Sequence, residues 1–382
     1  MTQFETRLKE VSHFFENNDT VLGYRKFLDC AIDTQNMDIY KDVVALTEWK
    51  SANPNDLEVL KQKVGNTLEK ISKFPIEEVS TATPFLSARD ISKSYGHNRF
   101  SLGPVSVDIR KREVYGLVGE NGNGKTTLLR ILAKELKHDS GNIQYGFEST
   151  SPSDFDLRTK LVYIPQRTQK WYGSLKDNLK FVLTNYGIAP EENELRTLMM
   201  IARFGLWDYK HLKWSELSSG YKMRFELART MLRQPEVLLL DEPLANLDVL
   251  AQQVILEDLK SICSSLNNPV ALILSSQQLY EIEKISDNVI FLKNGQYTDN
   301  THSKESSGQL IVELDCKAER AELQQIFSPL KLEKLTFNGG LYVAYFSDET
   351  AFASVLETLG KHNIEVTYTR NITASTRRFF VS

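Results

Sequence analysis

Gly119-Glu120-Asn121-Gly122-Asn123-Gly124-Lys125-Thr126-Thr127 fits the pattern GxxxxGK[ST] and stands between an apolar run, Val114 to Val118, and a helical one, Leu128 to Ala133. That order is a strand, a phosphate loop and a helix. Glycines let the loop take backbone angles that other residues avoid, so its N–H groups converge on phosphate oxygens at a helix N-terminus. Lys125 is expected to neutralise phosphate charge and Thr126 to ligate Mg2+. The stretch therefore predicts an α/β P-loop core that takes a nucleoside triphosphate.

A second element follows the same logic. The apolar run Val237 to Leu240 ends in Asp241-Glu242-Pro243, a buried strand that delivers two carboxylates to its C-terminal edge, where ligands bind in open α/β sheets. Asp241 is suited to hold a metal ion's water shell. Glu242 is placed to polarise a water aimed at the γ-phosphate.

Size and charge narrow the classes. A chain of 382 residues predicts two or three domains. With 46 basic and 50 acidic residues the net charge is −4 and no long basic run occurs, so nucleic acid is not an expected partner. Cys30, Cys263 and Cys316 share no CxxC or Cys/His spacing, and the six histidines show no metal-ligand spacing, which argues against a disulfide framework or a zinc site and fits a reduced cytoplasmic setting. No signal-peptide core opens the chain, and no apolar run approaches the roughly 20 residues needed to cross a bilayer.

Three regions are expected. Apolar residues recur at helical spacing from Phe4 to Ile71, which predicts four helices in an all-α N-terminal domain over residues 1–79, with Asn53-Pro54-Asn55 as a boundary combining a capping residue and Pro near a first turn. Ser80-Thr-Ala-Thr-Pro84 reads as a linker. Strand-like and helix-like segments then alternate over 85–300, predicting a largely parallel sheet. Over 308–382 the order is strand Leu310–Leu314, helix Ala318–Phe327, strands Leu332–Phe337 and Leu341–Phe346, helix Ala351–Leu359 and strand Ile364–Thr369. That is an α+β ferredoxin-like plait, with Asn338-Gly339-Gly340 as the hairpin signal.

Between the two nucleotide motifs lies Leu217-Ser218-Ser219-Gly220-Tyr221, followed by a helix read as Lys222 to Leu232. With it, the region 85–300 resembles the ATP-binding cassette (ABC) family of transporter ATPases, whose signature is Leu-Ser-Gly-Gly-Gln. Other residues match the family in order. Tyr95 stands where the family places an aromatic ring that stacks on adenine, although a half-buried strand aromatic is the alternative reading. Gln166, in Tyr163-Ile-Pro-Gln166, matches the glutamine that touches Mg2+ and the attacking water, or is an ordinary loop residue. Leu244 to Asp248 matches the loop that crosses the dimer interface.

The resemblance implies a mechanism shared by two cassettes. In the family they meet head to tail, and the signature of one covers ATP held by the phosphate loop of the other, so Ser218 and Gly220 would contact a γ-phosphate across the interface. ATP and Mg2+ are the implied cofactors. A second ABC ATPase subunit, expected as a homodimer, and an integral membrane permease are the implied partners. Four features depart from the pattern: Ser219 and Tyr221 in the signature, the helical N-terminal extension, and Gln277, which stands after Ala271 to Leu274 where the family has a histidine. Glutamine donates a hydrogen bond but, unlike histidine, does not take up a proton or bear a positive charge, so hydrolysis is expected to persist through Glu242 at a rate lower by roughly 10- to 1000-fold, the range for losing one transition-state contact.

Trp171, Tyr172, Trp207, Tyr209 and Trp214 lie where the family faces its membrane subunit, and read either as a groove for a partner helix or as core. The plait resembles the tail domain of some exporter-type ATPases and implies a regulatory or dimer-buttressing role. The chain as a whole reads as the ATP-hydrolysing subunit of an ABC transporter, peripheral on the inner face of the cell membrane. A soluble cassette acting as a switch without transport is the second reading; translation-linked members carry two cassettes and repair-linked members insert long coiled coils, and this chain shows neither. A cassette that only binds nucleotide stays open because of Gln277.

Overall fold

The structure is a computed structural model that describes residues 2–74, 76, 79, 84–96, 100–146, 154–277, 282, 284–298, 309–338 and 340–373. Most of the linker read at Ser80 to Pro84, Gly339 of the hairpin signal and the domain boundary near residues 300–308 lie outside these residues.

Four helices open the chain: α1 (Gln3–Glu16), α2 (Thr20–Asp33), α3 (Met37–Ala52) and α4 (Leu57–Ile71). The starts of the first three are set by side-chain caps. Thr2 and Glu5 form a reciprocal capping box, and Asn36 accepts from the backbone of Asp38 and Ile39 at α3. Asn53 and Pro54 both precede α4; Asn53 closes α3 instead, its amide donating to the Trp49 carbonyl at 2.8 Å, and Asp56 is the N-cap of α4. The apolar faces meet in a core that includes Val11, Phe27, Leu28, Val43 and Ile71 and also takes in Met199, Ala202 and Leu266 from later in the chain.

The central region holds two sheets. A three-stranded antiparallel sheet runs in the order β2 (Ser101–Ile109), β1 (Leu86–Ser94), β4 (Ser140–Tyr145). The six-stranded sheet runs β5 (Leu161–Ile164), β6 (Val237–Leu240), β7 (Ala271–Ser276), β3 (Val114–Val118), β8 (Asn288–Lys293), β9 (Gln296–Thr298). Its pairs are parallel except for β8 with β9. Strands β3, β6 and β7 are buried along their whole length, as parallel strands covered on both faces must be. Alternate side chains supply two cores: Val114, Val118, Leu238, Leu240, Leu272 and Leu274 face one, while Tyr115, Leu117, Leu239 and Ile273 face the other.

Helix α5 (Lys125–Leu132) follows β3, and α6 (Asp154–Lys160) precedes β5. Between β5 and β6 the chain inserts α7 (Leu175–Asn185), α8 (Pro190–Arg203) and α9 (Ser219–Met231); α10 (Val249–Cys263) follows β6. The insertion touches the N-terminal helices through a buried ionic seam. Arg203 on α8 pairs with Asp258 on α10 at 2.6 Å and with Asp29 on α2, while Arg25 on α2 also pairs with Asp258 and reaches Glu257 at 2.9 Å. Arg7 on α1 pairs with Asp33 at 2.8 Å, and Asp33 accepts from Ser265 at 2.7 Å.

The last region is the plait expected from the sequence: β10 (Leu310–Cys316), α11 (Arg320–Phe327), β11 (Leu332–Asn338), β12 (Leu341–Phe346), α12 (Phe352–Lys361) and β13 (Val366–Asn371). The strand order is β11-β12-β10-β13, antiparallel throughout. Element ends differ by one or two residues from the sequence reading. Glu319 and Ala351 are extended, so α11 starts two residues later and α12 one residue later than the sequence reading, and Asn363 in the left-handed region (φ 53°) precedes the later start of β13.

Candidate functional site

Parallel pairing brings the motif-bearing segments to one edge. Val118 lies opposite Ser276, Leu240 opposite both Leu274 and Ile164, so the loops after β3, β5, β6 and β7 all leave the sheet at its carboxyl end. Those loops carry Gly119, Gln166, Asp241-Glu242 and Gln277.

In the phosphate loop, Gly122 and Gly124 have φ of 83° and 97°, and Gly124 is the N-cap of α5. A Cβ on Gly119 would stand 2.5 Å from the Leu292 carbonyl oxygen, so the loop closes on β8 only with glycine there. Glu120 and Asn121 are exposed; Asn123 is buried and accepts from the Asn294 backbone at 3.1 Å. Lys125 is buried at the mouth of the loop, donating to the Gly119 carbonyl at 2.7 Å and standing 3.2 Å from a Glu242 carboxylate oxygen. Thr126 and Thr127 form the first turn of α5.

The Thr126 hydroxyl donates to Asp241 Oδ2 at 2.8 Å, which ties the loop to the acidic strand. Asp241 is buried and also accepts from Tyr163 at 3.1 Å and from Ser275 Oγ at 2.8 Å. Burial, then the Asp241 charge, push the Tyr163 phenol above the ordinary tyrosine value, so it acts here as a neutral donor. Ser275 Oγ in turn accepts the Glu242 N–H at 2.9 Å. One hydroxyl serves both bonds because it has one proton and two lone pairs. Glu242 needs that support: its φ is 49°, in the left-handed region, which costs roughly 1–2 kcal/mol for a residue with a Cβ. Ser275 and Tyr163 were not singled out as site residues by the sequence; the available signal for Ser275 was a hydroxyl inside an otherwise apolar, fully buried strand.

Gln166 is exposed just beyond β5, and Gln277 is exposed just beyond β7. Tyr95 follows β1 with 40% exposure. Its backbone N–H bonds the Phe100 carbonyl at 3.1 Å, and a Cβ built on Gly124 would meet the Phe100 ring at 2.7 Å, so Phe100 links Tyr95 to the phosphate loop.

The signature segment differs from its sequence reading. The helix starts at Ser219, not Lys222, because Ser218 caps it by accepting from the Tyr221 N–H at 3.4 Å. Gly220 sits in that first turn without a positive φ; what limits it is space, since a Cβ would lie 3.2 Å from the Ala251 Cβ. The Ser219 hydroxyl donates to the Asn246 carbonyl at 3.2 Å, which joins the signature to the loop after β6. Among the described residues, no hydrogen bond or ion pair joins Ser218 or Gly220 to residues 119–127. Of the five aromatics, Trp171, Trp207, Tyr209 and Trp214 pack against the core, whereas Tyr172 is 91% exposed.

A P-loop on β3, an aspartate bonded to its threonine and a glutamate held beside its lysine define a P-loop nucleoside triphosphatase core. Comparison with known proteins narrows this. The ABC transporter domain family matches residues 102–245. An ABC transporter ATP-binding protein of Listeria monocytogenes is 31% identical over 215 residues, 55% of this chain and 79% of that protein. The ABC transporter ATP-binding protein NatA of Bacillus subtilis is 29% identical over 194 residues, 50% of this chain and 78% of NatA. The chain belongs to the ATP-binding subunits of ABC transporters, and is an ATPase of that family. The cassette fold also matches the solved structure of cbiO1 from Clostridium perfringens, part of the cbiONQ transporter complex, with a TM-score of 0.53 and 24% identity over 65% of this chain and 96% of that one.

Proposed function

We propose that this chain hydrolyses ATP with Mg2+ at the edge formed by β3, β5, β6 and β7, and works as one half of a head-to-tail homodimer that drives a separate integral membrane permease. The observation that carries this reading is the continuous chain of bonds from Thr126 through Asp241 and Ser275 to the Glu242 backbone. Thr126, Asp241 and Gln166 offer the hard oxygen donors that suit Mg2+, which when bound neutralises charge on the phosphates.

Gly119 to Thr127 wrap the phosphates through their N–H groups, with Lys125 as the fixed cation. Tyr95 supports the adenine ring. Glu242 accepts the proton of the attacking water, and Gln277 donates a hydrogen bond to the γ-phosphate without supplying positive charge. Ser218 and Gly220, at the positive end of α9, close over ATP held by the second copy. Exposed Val249 and Leu250 at the start of α10 adjoin this face and support pairing there.

Among the described residues no helix is long and apolar enough to cross a membrane. The permease is read as a separate chain, and this subunit as peripheral on the inner face of the membrane, from the kinship with ABC transporter ATP-binding proteins. The helical residues 1–79 and the plait of 308–382 are read as domains added to a cassette spanning 85–300, and the plait favours an exporter-type assembly. Light scattering tests the dimer: the Glu242→Gln variant should double in mass on adding ATP and Mg2+, and a variant that binds ATP yet stays monomeric would overturn the pairing.

A further inference from the structure

From the end of β5 at Ile164 to the start of α7 at Leu175 the chain has no helix or strand, and this segment carries Gln166. Most of its side chains are exposed; Trp171 is the anchor. The Trp171 indole N–H donates to Glu226 Oε1 at 2.6 Å. Arg229 donates to the other Glu226 oxygen through Nη2 at 2.8 Å and Nε at 3.1 Å. The same guanidinium stands 4.5 Å above the Trp171 ring, and Phe225 meets that ring edge-on at 6.5 Å. Glu226 is 2% exposed, and a carboxylate so buried is tolerated only while its oxygens are paired with donors.

Glu226 and Arg229 belong to α9, whose first turn holds Ser219 and Gly220. A cleft of about 660 Å³ is lined by this grip together with Thr126, Asp241 and Gln166. The cleft is thus lined jointly by the phosphate loop, the acidic strand, the Gln166 segment and the signature helix, and Trp171 ties the last two together.

We propose that Trp171 is a latch: Glu226 and Arg229 grip it so that the Gln166 segment and the signature helix move as one body, and Trp171 and Glu226 are positioning residues for hydrolysis. This rests on the roles given above to Gln166 and the signature. Glu226→Ala removes the grip, whereas Glu226→Gln keeps an oxygen that accepts the indole N–H. Glu226→Ala should lower kcat about tenfold with KM within about twofold, because the lost contact acts on the geometry of hydrolysis and not on nucleotide binding. Glu226→Gln should recover part of the rate.

A second readout needs no turnover. In a Glu242→Gln background, tryptophan emission should change on adding ATP and Mg2+, and adding Trp171→Phe should abolish most of that change. The latch is overturned if Glu226→Ala keeps its melting temperature and wild-type kcat, if kcat, KM and melting temperature all fall together, or if Trp171→Phe leaves the emission response intact. A wild-type protein with no ATPase activity would instead overturn the hydrolytic function itself, so the two failures are distinct.

Discussion

Replacing Arg203 with Met tests how the N-terminal helices are held to the cassette. The guanidinium is 4% exposed and meets Asp258, 1% exposed, at 2.6 Å, together with Asp29 on α2. Burial alone would pull its pKa down; the charges of Asp29 and Asp258 reverse that and hold it above the ordinary arginine value. Methionine keeps the bulk and removes the charge. Breaking a buried pair costs about 3–5 kcal/mol because a buried charge loses its partner. Arg25 still reaches Asp258, so the cost should fall near 3 kcal/mol, at the lower end of that range. Hydrogen exchange is the assay, since a local seam reports through local opening. Amides of α2 and α8 should lose about 100-fold of protection, given that about 1.4 kcal/mol is a factor of ten. Combining Arg203→Met with Asp258→Asn should cost less than the two singles summed, by about 1 kcal/mol or more, because they share one interaction. Unchanged protection, or strict additivity, would refute the claim that this seam holds the helices in place.

Two further outcomes follow from the same geometry. Ser275→Ala removes both the bond to Asp241 and the acceptor for the Glu242 N–H, so kcat should fall about 10- to 100-fold in a steady-state ATPase assay, while fluorescent nucleotide still binds, since the phosphate loop is untouched. Glu236 supplies a pH dependence. Burial raises its pKa, but Lys111 at 2.8 Å and Lys160 at 2.9 Å more than offset this and hold it below the ordinary value of 4.5. Its folded pKa is depressed, so its contribution is present above 4.5 and is lost as pH falls through the lower folded value. Urea midpoints of wild type and Glu236→Gln should therefore converge in acid. Asp33, raised mainly by burial, runs in the opposite sense, so the comparison must use the Glu236 variant and not the wild-type profile alone.

What the sequence made legible was chemistry packed into short stretches. The phosphate loop, the strand ending in Asp241-Glu242 and the plait each carry their own local signal, and each occurs where that signal placed it. The start of α9 was misplaced because Gly220 disfavours helix in isolation, while the Ser218 cap and the packing against Ala251 decide otherwise. Contacts across long separations left no trace in periodicity. Nothing in the apolar pattern of α2 says that Asp29 will meet Arg203, and nothing near Trp171 points to Glu226. Ser275 was readable only as an oddity inside a buried strand. Its role depends on Asp241 and Glu242 lying on the neighbouring strand, which is a fact of sheet order.

The central claim is that Glu242 drives hydrolysis of ATP bound by the loop at Gly119 to Thr127. Its most direct test is the steady-state release of phosphate from ATP and Mg2+ by the purified chain beside its Glu242→Gln variant. Phosphate release should fall at least about 100-fold in the variant while ATP binding is retained. Equal rates in the two proteins, with both folded and both binding ATP, would contradict the account.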